Sequence, residues 1–111
     1  MTAHRFTKMH ALGNDIVVFD DRLTPISLTR ECLKAIAERR TGIGCDQIIT
    51  LEPSKNADLT MRIYNSDGCE AKACGNAARC VAQLITQETG AENTLLETTV
   101  NILRASAITN E

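Results

Sequence analysis

Tryptophan is absent, and the only aromatic side chains are Phe6, Phe19 and Tyr64. Such a chain offers no stacking platform for single-stranded nucleic acid, and its core has to be built from Leu, Ile, Val, Ala and Met. An excess of either charge is missing too, since twelve Lys and Arg face fourteen Asp and Glu for a net charge of -2. No basic run exceeds the pair Arg39-Arg40, so the electrostatic footprint of a DNA-binding surface is lacking. Apolar runs extend over only a few residues, too short for a membrane-spanning helix. Met1 to Lys8 carries no hydrophobic stretch of the secretory kind. The expectation is a cytoplasmic protein with neither a nucleic-acid nor a membrane partner. Only two prolines occur, Pro25 and Pro53, and no Pro/Gly/Ser stretch forms a linker.

What remains is the composition of one globular domain: 111 residues, 43% apolar and 23% charged, without internal repeats. Five cysteines, an odd number without an export signal, favour reduced thiols over a bridged framework and leave at least one free for chemistry. Phe6 to His10 and Ile16 to Phe19 read as short strands around the turn residues Gly13-Asn14-Asp15. Leu28, Cys32, Leu33, Ile36 and Ala37 recur at helical spacing, which predicts a helix from Leu28 to Arg40 with Ser27 as N-cap and Gly42 beyond its end. Gln47 to Leu51 and the alternating Leu59 to Tyr64 predict two more strands. A second helix is expected from Cys74 to Glu88, with Ala77, Ala78, Val81, Leu84 and Ile85 as its apolar face and Gly90 as its stop. Thr94 to Thr99 and Ile102 to Ile108 predict a final antiparallel pair. The fold class is α+β, a curved antiparallel sheet or partial barrel around a central helix.

Chemistry-bearing residues concentrate between Asn65 and Arg79. There the polar turn Asn65-Ser66-Asp67-Gly68 leads to Cys74-Gly75-Asn76 at the start of the second helix. The free N–H groups of a first helical turn favour a carboxylate, and the same partial charge lowers a nearby thiol from about 8.5 toward neutrality. Gly75 admits close approach of a ligand, and Asn76 supplies both a donor and an acceptor. The pattern equally fits a small buried cysteine opening a core helix, and ordinary turn chemistry at Asn65 to Gly68; spacing alone does not separate these readings. Gly42-Ile43-Gly44 lacks the third glycine and the strand-to-helix setting of a dinucleotide fingerprint. Cys69, Cys74 and Cys80 are spaced by five and six residues with no histidine nearby, which is not a zinc pattern. His4 and His10 have no partner visible in the sequence.

Taken together, Lys8-Met9-His10-Ala11-Leu12-Gly13-Asn14-Asp15, Gly42-Ile43-Gly44-Cys45-Asp46-Gln47 and Asn65 to Arg79 resemble the N-terminal half of the diaminopimelate epimerase family, in family order. The resemblance implies one of two pseudo-symmetric halves with a site between them. It also implies an isomerase that converts LL-diaminopimelate to the meso form for lysine and peptidoglycan synthesis, with neither a metal nor pyridoxal phosphate. Cys74 then matches one of two cysteines that exchange the α-proton, and Asn14, Gln47, Asn65, Gly75 and Asn76 match residues that contact substrate. Cys69 departs from the serine usual at its position.

Inverting a carbon requires a proton to leave one face and another to arrive on the opposite face, which one thiol cannot do. Cys80 follows Cys74 by six residues, about 9 Å along a helix and on another face. Cys32 belongs to the apolar stripe of the first helix, and Cys45 and Cys69 lie in loops. The resemblance implies that the second cysteine belongs to a C-terminal half, so the expectation is that residues 1–111 form one half-domain and that this chain is inactive alone. Two other readings stay open: a racemase of the same fold acting on another amino acid, and a binding or assembly module whose uncovered face self-associates.

Overall fold

The computed structural model describes residues 6–11, 13–20, 28–71, 75–90, 93–98 and 102–106. These form seven strands and two helices: β1 (Phe6–Ala11), β2 (Asn14–Asp20), α1 (Arg30–Ala37), β3 (Gln47–Glu52), β4 (Leu59–Asn65), β5 (Glu70–Ala71), α2 (Gly75–Thr89), β6 (Asn93–Glu97) and β7 (Ile102–Ser106). The strands make one sheet in the order β1-β2-β3-β4-β6-β7, with β5 added beside β4. The sheet curls into half a barrel with α2 against its inner face. The α+β class expected from the sequence is what the chain adopts. Two of the pairings, β2 with β3 and β4 with β6, are parallel, so the sheet is mixed.

Strand alternation builds two cores from the same strands. Ile16 and Val18 of β2, Ile49 and Leu51 of β3, and Leu59, Met61 and Ile63 of β4 face α2, which contributes Ala77, Ala78, Cys80, Val81, Ala82 and Ile85. Their neighbours Val17, Phe19 and Ile48 face the opposite way and pack with Leu33, Ala37 and Cys45. This is the period-two pattern of a sheet covered on both faces. Ile16, Ile49 and Leu96 are fully buried, each contributing about 1.5–3 kcal/mol by leaving water.

Helix α1 is shorter than its periodicity predicts. Thr29, not Ser27, is the N-cap: its hydroxyl accepts from the Cys32 amide at 3.1 Å. Ser27 itself lies outside the described residues. The helix stops at Ala37 because the chain turns extended at Glu38 and folds back, with the amides of Gly42 and Gly44 donating to the carbonyls of Glu38 and Ile36. Cys32, expected in the apolar stripe, is exposed; Leu33, next along the helix, takes the buried position. Helix α2 ends as expected, with Gly90 at φ +80° donating to the Thr86 carbonyl at 2.7 Å.

The β4–β5 hairpin is the element the sequence left as a turn. Asn65 donates to the Cys69 carbonyl and accepts from the Gly68 amide, both at 2.9 Å, and Ala71 then pairs with Ile63. The Asp67 carboxylate accepts from the Cys69 amide at 2.9 Å, which holds it below the usual carboxylate range. Gly68 sits at φ +84° against Arg30, where a Cβ would fall 2.6 Å from Arg30 Cγ and 2.8 Å from its carbonyl oxygen. Arg30 also donates from Nε to the Asp67 carbonyl at 3.2 Å. The first residue of α1 thereby anchors the turn that leads toward α2.

Candidate active site

Asn14, Gln47 and Asn65 converge at one end of the sheet. In the parallel register Ile16 faces Gln47, which puts Asn14 two residues before that pair, and in the antiparallel register Gln47 faces Asn65. Gln47 and Asn65 therefore sit side by side at one level, and Asn14, on the neighbouring strand, lies two residues further toward the same end of the sheet. All three share a face. Asn14 precedes Ile16 by two, Gln47 precedes Ile49 by two, and Asn65 follows Ile63 by two; Ile16, Ile49 and Ile63 all belong to the α2 core. Each amide thus caps a hydrophobic column at the point where the column ends. Asn14 and Gln47 are half-buried and Asn65 is exposed.

Gln47 differs from the other two in the burial of its carbonyl oxygen. Its Oε1 is buried and has no hydrogen-bond partner among the described residues. Buried acceptors are nearly always satisfied, and leaving one unpaired costs about 1–3 kcal/mol. A donor reaching this oxygen would recover that cost.

Cys74 lies outside the described residues. Gly75 is the first residue of α2 and Asn76 the second, the Asn76 side chain also falling outside the described set. Covalent reach limits the start of α2. Four residue steps separate Gly75 from Ala71, so it lies within about 14 Å of the strand pair that ends in Asn65. The remaining thiols stand elsewhere. Cys80 is buried in the α2 core, Cys45 is buried on the α1 face, and Cys32 and Cys69 are exposed. Burial pushes the Cys45 thiol up, keeping it protonated.

Behind the amides lies an ionic cluster that the sequence did not announce. Arg39 donates to Asp15 Oδ2 at 2.8 Å and to Asp46 Oδ1 at 3.1 Å. The other Asp46 oxygen accepts from the Asp15 amide at 2.8 Å, and the Asp46 amide donates to the Asp15 carbonyl at 2.9 Å. His10, without a partner visible in the sequence, contacts the Asp15 carboxylate across the β1–β2 register. The Arg39 guanidinium holds the Asp15 carboxyl below the usual range. The available signal was positional: each carboxylate adjoins a candidate amide, in Asn14-Asp15 and in Asp46-Gln47.

No helix among the described residues is long and apolar enough to cross a membrane. The half-barrel is similar to a phenazine biosynthesis protein of the PhzF family and to a protein described as a putative phenazine biosynthesis PhzC/PhzF protein. The Enterococcus faecalis structure superposes with a TM-score of 0.68 at 13% identity, over 95% of this chain and 40% of that one. The Clostridium difficile structure gives 0.68 at 20% identity, over 97% and 42%. At these identities the likeness concerns the fold.

Sequence relatives are much nearer. A diaminopimelate epimerase of Sphingopyxis alaskensis is 55% identical over 104 residues, 94% of this chain and 37% of that protein. One of Rhodospirillum centenum is 54% identical over 102 residues, 90% and 35%. The chain spans little more than a third of the length of these relatives. Residues 6–106 match the family described as diaminopimelate epimerase, a stretch that includes every strand, both helices and all six candidate site residues, and the chain belongs to that family.

Proposed function

We propose that residues 1–111 contribute the N-terminal half of the active site of a diaminopimelate epimerase, a cytoplasmic isomerase of lysine and peptidoglycan synthesis that uses thiols rather than pyridoxal phosphate or a metal. The observation that carries this reading is the gathering of Asn14, Gln47 and Asn65 at one end of the sheet, with the buried Gln47 Oε1 unpaired among the described residues. An amino acid presents an ammonium donor and a carboxylate acceptor, and carboxamides answer both. Gly75 and Asn76 open α2 within covalent reach of that end of the sheet, and in this reading they complete the substrate contacts.

Cys74 is the acid–base group. As thiolate it takes the α-proton, breaking the Cα–H bond and leaving the electron pair on Cα; a thiol on the opposite face then delivers a proton with inverted configuration. In the reverse direction the two roles exchange. Among the described cysteines none fits the second role. Cys45 lies on the other side of the sheet, Cys80 is sealed in the core, and Cys32 and Cys69 are on the surface. The second thiol comes from a C-terminal half beyond residue 111, and the 111 residues alone are inactive.

The test is α-proton exchange into LL-diaminopimelate in deuterated water. A protein that carries both halves is compared with its Cys74→Ala variant and with residues 1–111 alone. Loss of a positioned acid–base group lowers exchange by about 10²–10⁴-fold, so the variant and the isolated chain should both be near background. Turnover by residues 1–111 alone overturns the two-half reading. An unchanged rate in Cys74→Ala favours a binding or assembly module. Faster exchange with another amino acid moves the substrate while keeping the chemistry.

A further inference from the structure

We infer that Arg39 is a positioning residue that sets the distance between Asn14 and Gln47 from behind the sheet. The need for such a device follows from topology. β2 and β3 are parallel neighbours, so no tight turn joins them; their connection runs from residue 21 to residue 46 and contains α1. The sheet ladder between them begins at Ile16 and Gln47, and Asn14 lies outside it. Alignment at this end rests on contacts just outside that ladder.

Asp15 and Asp46 extend the ladder by one step. Each amide donates to the other residue, Asp15 to an Asp46 carboxylate oxygen and Asp46 to the Asp15 carbonyl. That arrangement draws two carboxylates together, and like charges at such range repel. Arg39 removes the conflict, because its planar guanidinium spans one oxygen of each, a geometry a lysine cannot reproduce. Strand alternation turns Asp15 to the face opposite Asn14, and Asp46, just before β3, meets the same guanidinium, so Arg39 acts through the backbone rather than through the substrate space. The loop is shaped to hold it. Gly44 is at φ +82°, and a Cβ there would lie 3.2 Å from both Cα and Cγ of Arg39.

Without the guanidinium the ends of β2 and β3 separate, and the two amides no longer meet one ligand together. A displacement of about 1 Å in a binding group can cost up to about a hundredfold. For diaminopimelate this rests on the function proposed above, so the experiment has two independent arms. In the first, amide hydrogen exchange is measured on residues 1–111 for the native chain and Arg39→Ala. The Asp15 and Asp46 amides should exchange about tenfold faster or more, a change equivalent to about 1.4 kcal/mol, while Ile49 and Met61 are unchanged. In the second, Arg39→Ala in the protein carrying both halves should raise KM for diaminopimelate about tenfold and lower kcat less.

Adding Asp46→Asn to Arg39→Ala should recover much of both effects, because it removes the repulsion while keeping an acceptor for the Asp15 amide. A residue that merely fills space would show no such rescue. Unchanged exchange at Asp15 and Asp46, a uniform rise across the core, or absence of rescue overturns the positioning role. If the native protein does not turn over diaminopimelate, the functional reading fails and the exchange arm alone decides the role of Arg39.

Discussion

Replacing Gly68 by alanine should be among the most damaging single-methyl additions in this chain, and the structure divides the cost into two parts. The backbone part comes from φ +84°, which costs an L-residue about 1–2 kcal/mol. The steric part comes from Arg30, whose Cγ and carbonyl oxygen lie 2.6 and 2.8 Å from the new Cβ. Cγ can swing away, whereas the carbonyl belongs to the first residue of α1 and can move only with the helix. Overpacking of this kind costs about 1–3 kcal/mol, so the total is about 2–5 kcal/mol, a large share of the stability of about 5–15 kcal/mol that a domain has. Gly90→Ala is the internal control, since Gly90 has φ +80° with nothing within 4 Å of its would-be Cβ; it should show the backbone part alone. Urea unfolding of both variants, followed by circular dichroism, measures the difference. Arg30→Ala in the Gly68→Ala background should return part of the steric cost but not the carbonyl clash. A Gly68→Ala cost no larger than that of Gly90→Ala refutes the argument that Arg30 and the Asn65 to Cys69 turn are packed as one unit.

Acid sensitivity should be traceable to particular carboxylates. Glu97 accepts from Ser54, Asn56 and Thr60, and the Ser54 hydroxyl leads in holding its carboxyl below the ordinary value. A depressed folded-state pKa gives stability that is present at neutral pH and is lost as pH falls below about 4 through the folded value. Glu97→Gln should therefore flatten the acid limb of a stability–pH curve, and an unchanged limb would count against it. Thiol labelling under native conditions should modify the exposed Cys32 and Cys69 rapidly, while the buried Cys45 and Cys80 react only on unfolding; mass mapping of the labelled peptides checks this.

The legible parts of the fold were those with a single dominant periodicity. The apolar face of α2 was readable because Ala77, Ala78, Val81 and Ile85 recur at helical spacing and all are buried. β4 was readable because its buried and half-buried residues alternate from Leu59 onward. Local patterns carry no information on which strands become neighbours, so the parallel pairings were invisible, and the β5 strand of the β4–β5 hairpin, Glu70–Ala71, is too short to show any periodicity. Cys32 was misassigned to the α1 stripe because helical spacing admits two adjacent positions and only the packed sheet selects Leu33. Asn14, Gln47 and Asn65 could be named from resemblance, but their common face and their meeting at one end of the sheet depend on strand register. Arg39 was hidden for the same reason, since its partners lie 24 and 7 residues away.

The site and the core occupy the same columns of the same strands, yet their energetics differ. Two residues inward from each amide stands an isoleucine, Ile16, Ile49 or Ile63, that is at most 3% exposed, and truncating such a side chain to alanine costs about 2–5 kcal/mol. The amides stand at the column ends, where the apolar core stops, so they can be chosen for what they bind rather than for what they stabilise. The alignment of those ends rests on Asp15, Arg39 and Asp46, whose side chains are 21%, 55% and 43% exposed. Ion pairs this open add little to global stability and weaken in salt. The hydrocarbon columns fix the fold, and a solvent-accessible ionic brace tunes the spacing of the groups at their tips, so site geometry can change while the core stays folded.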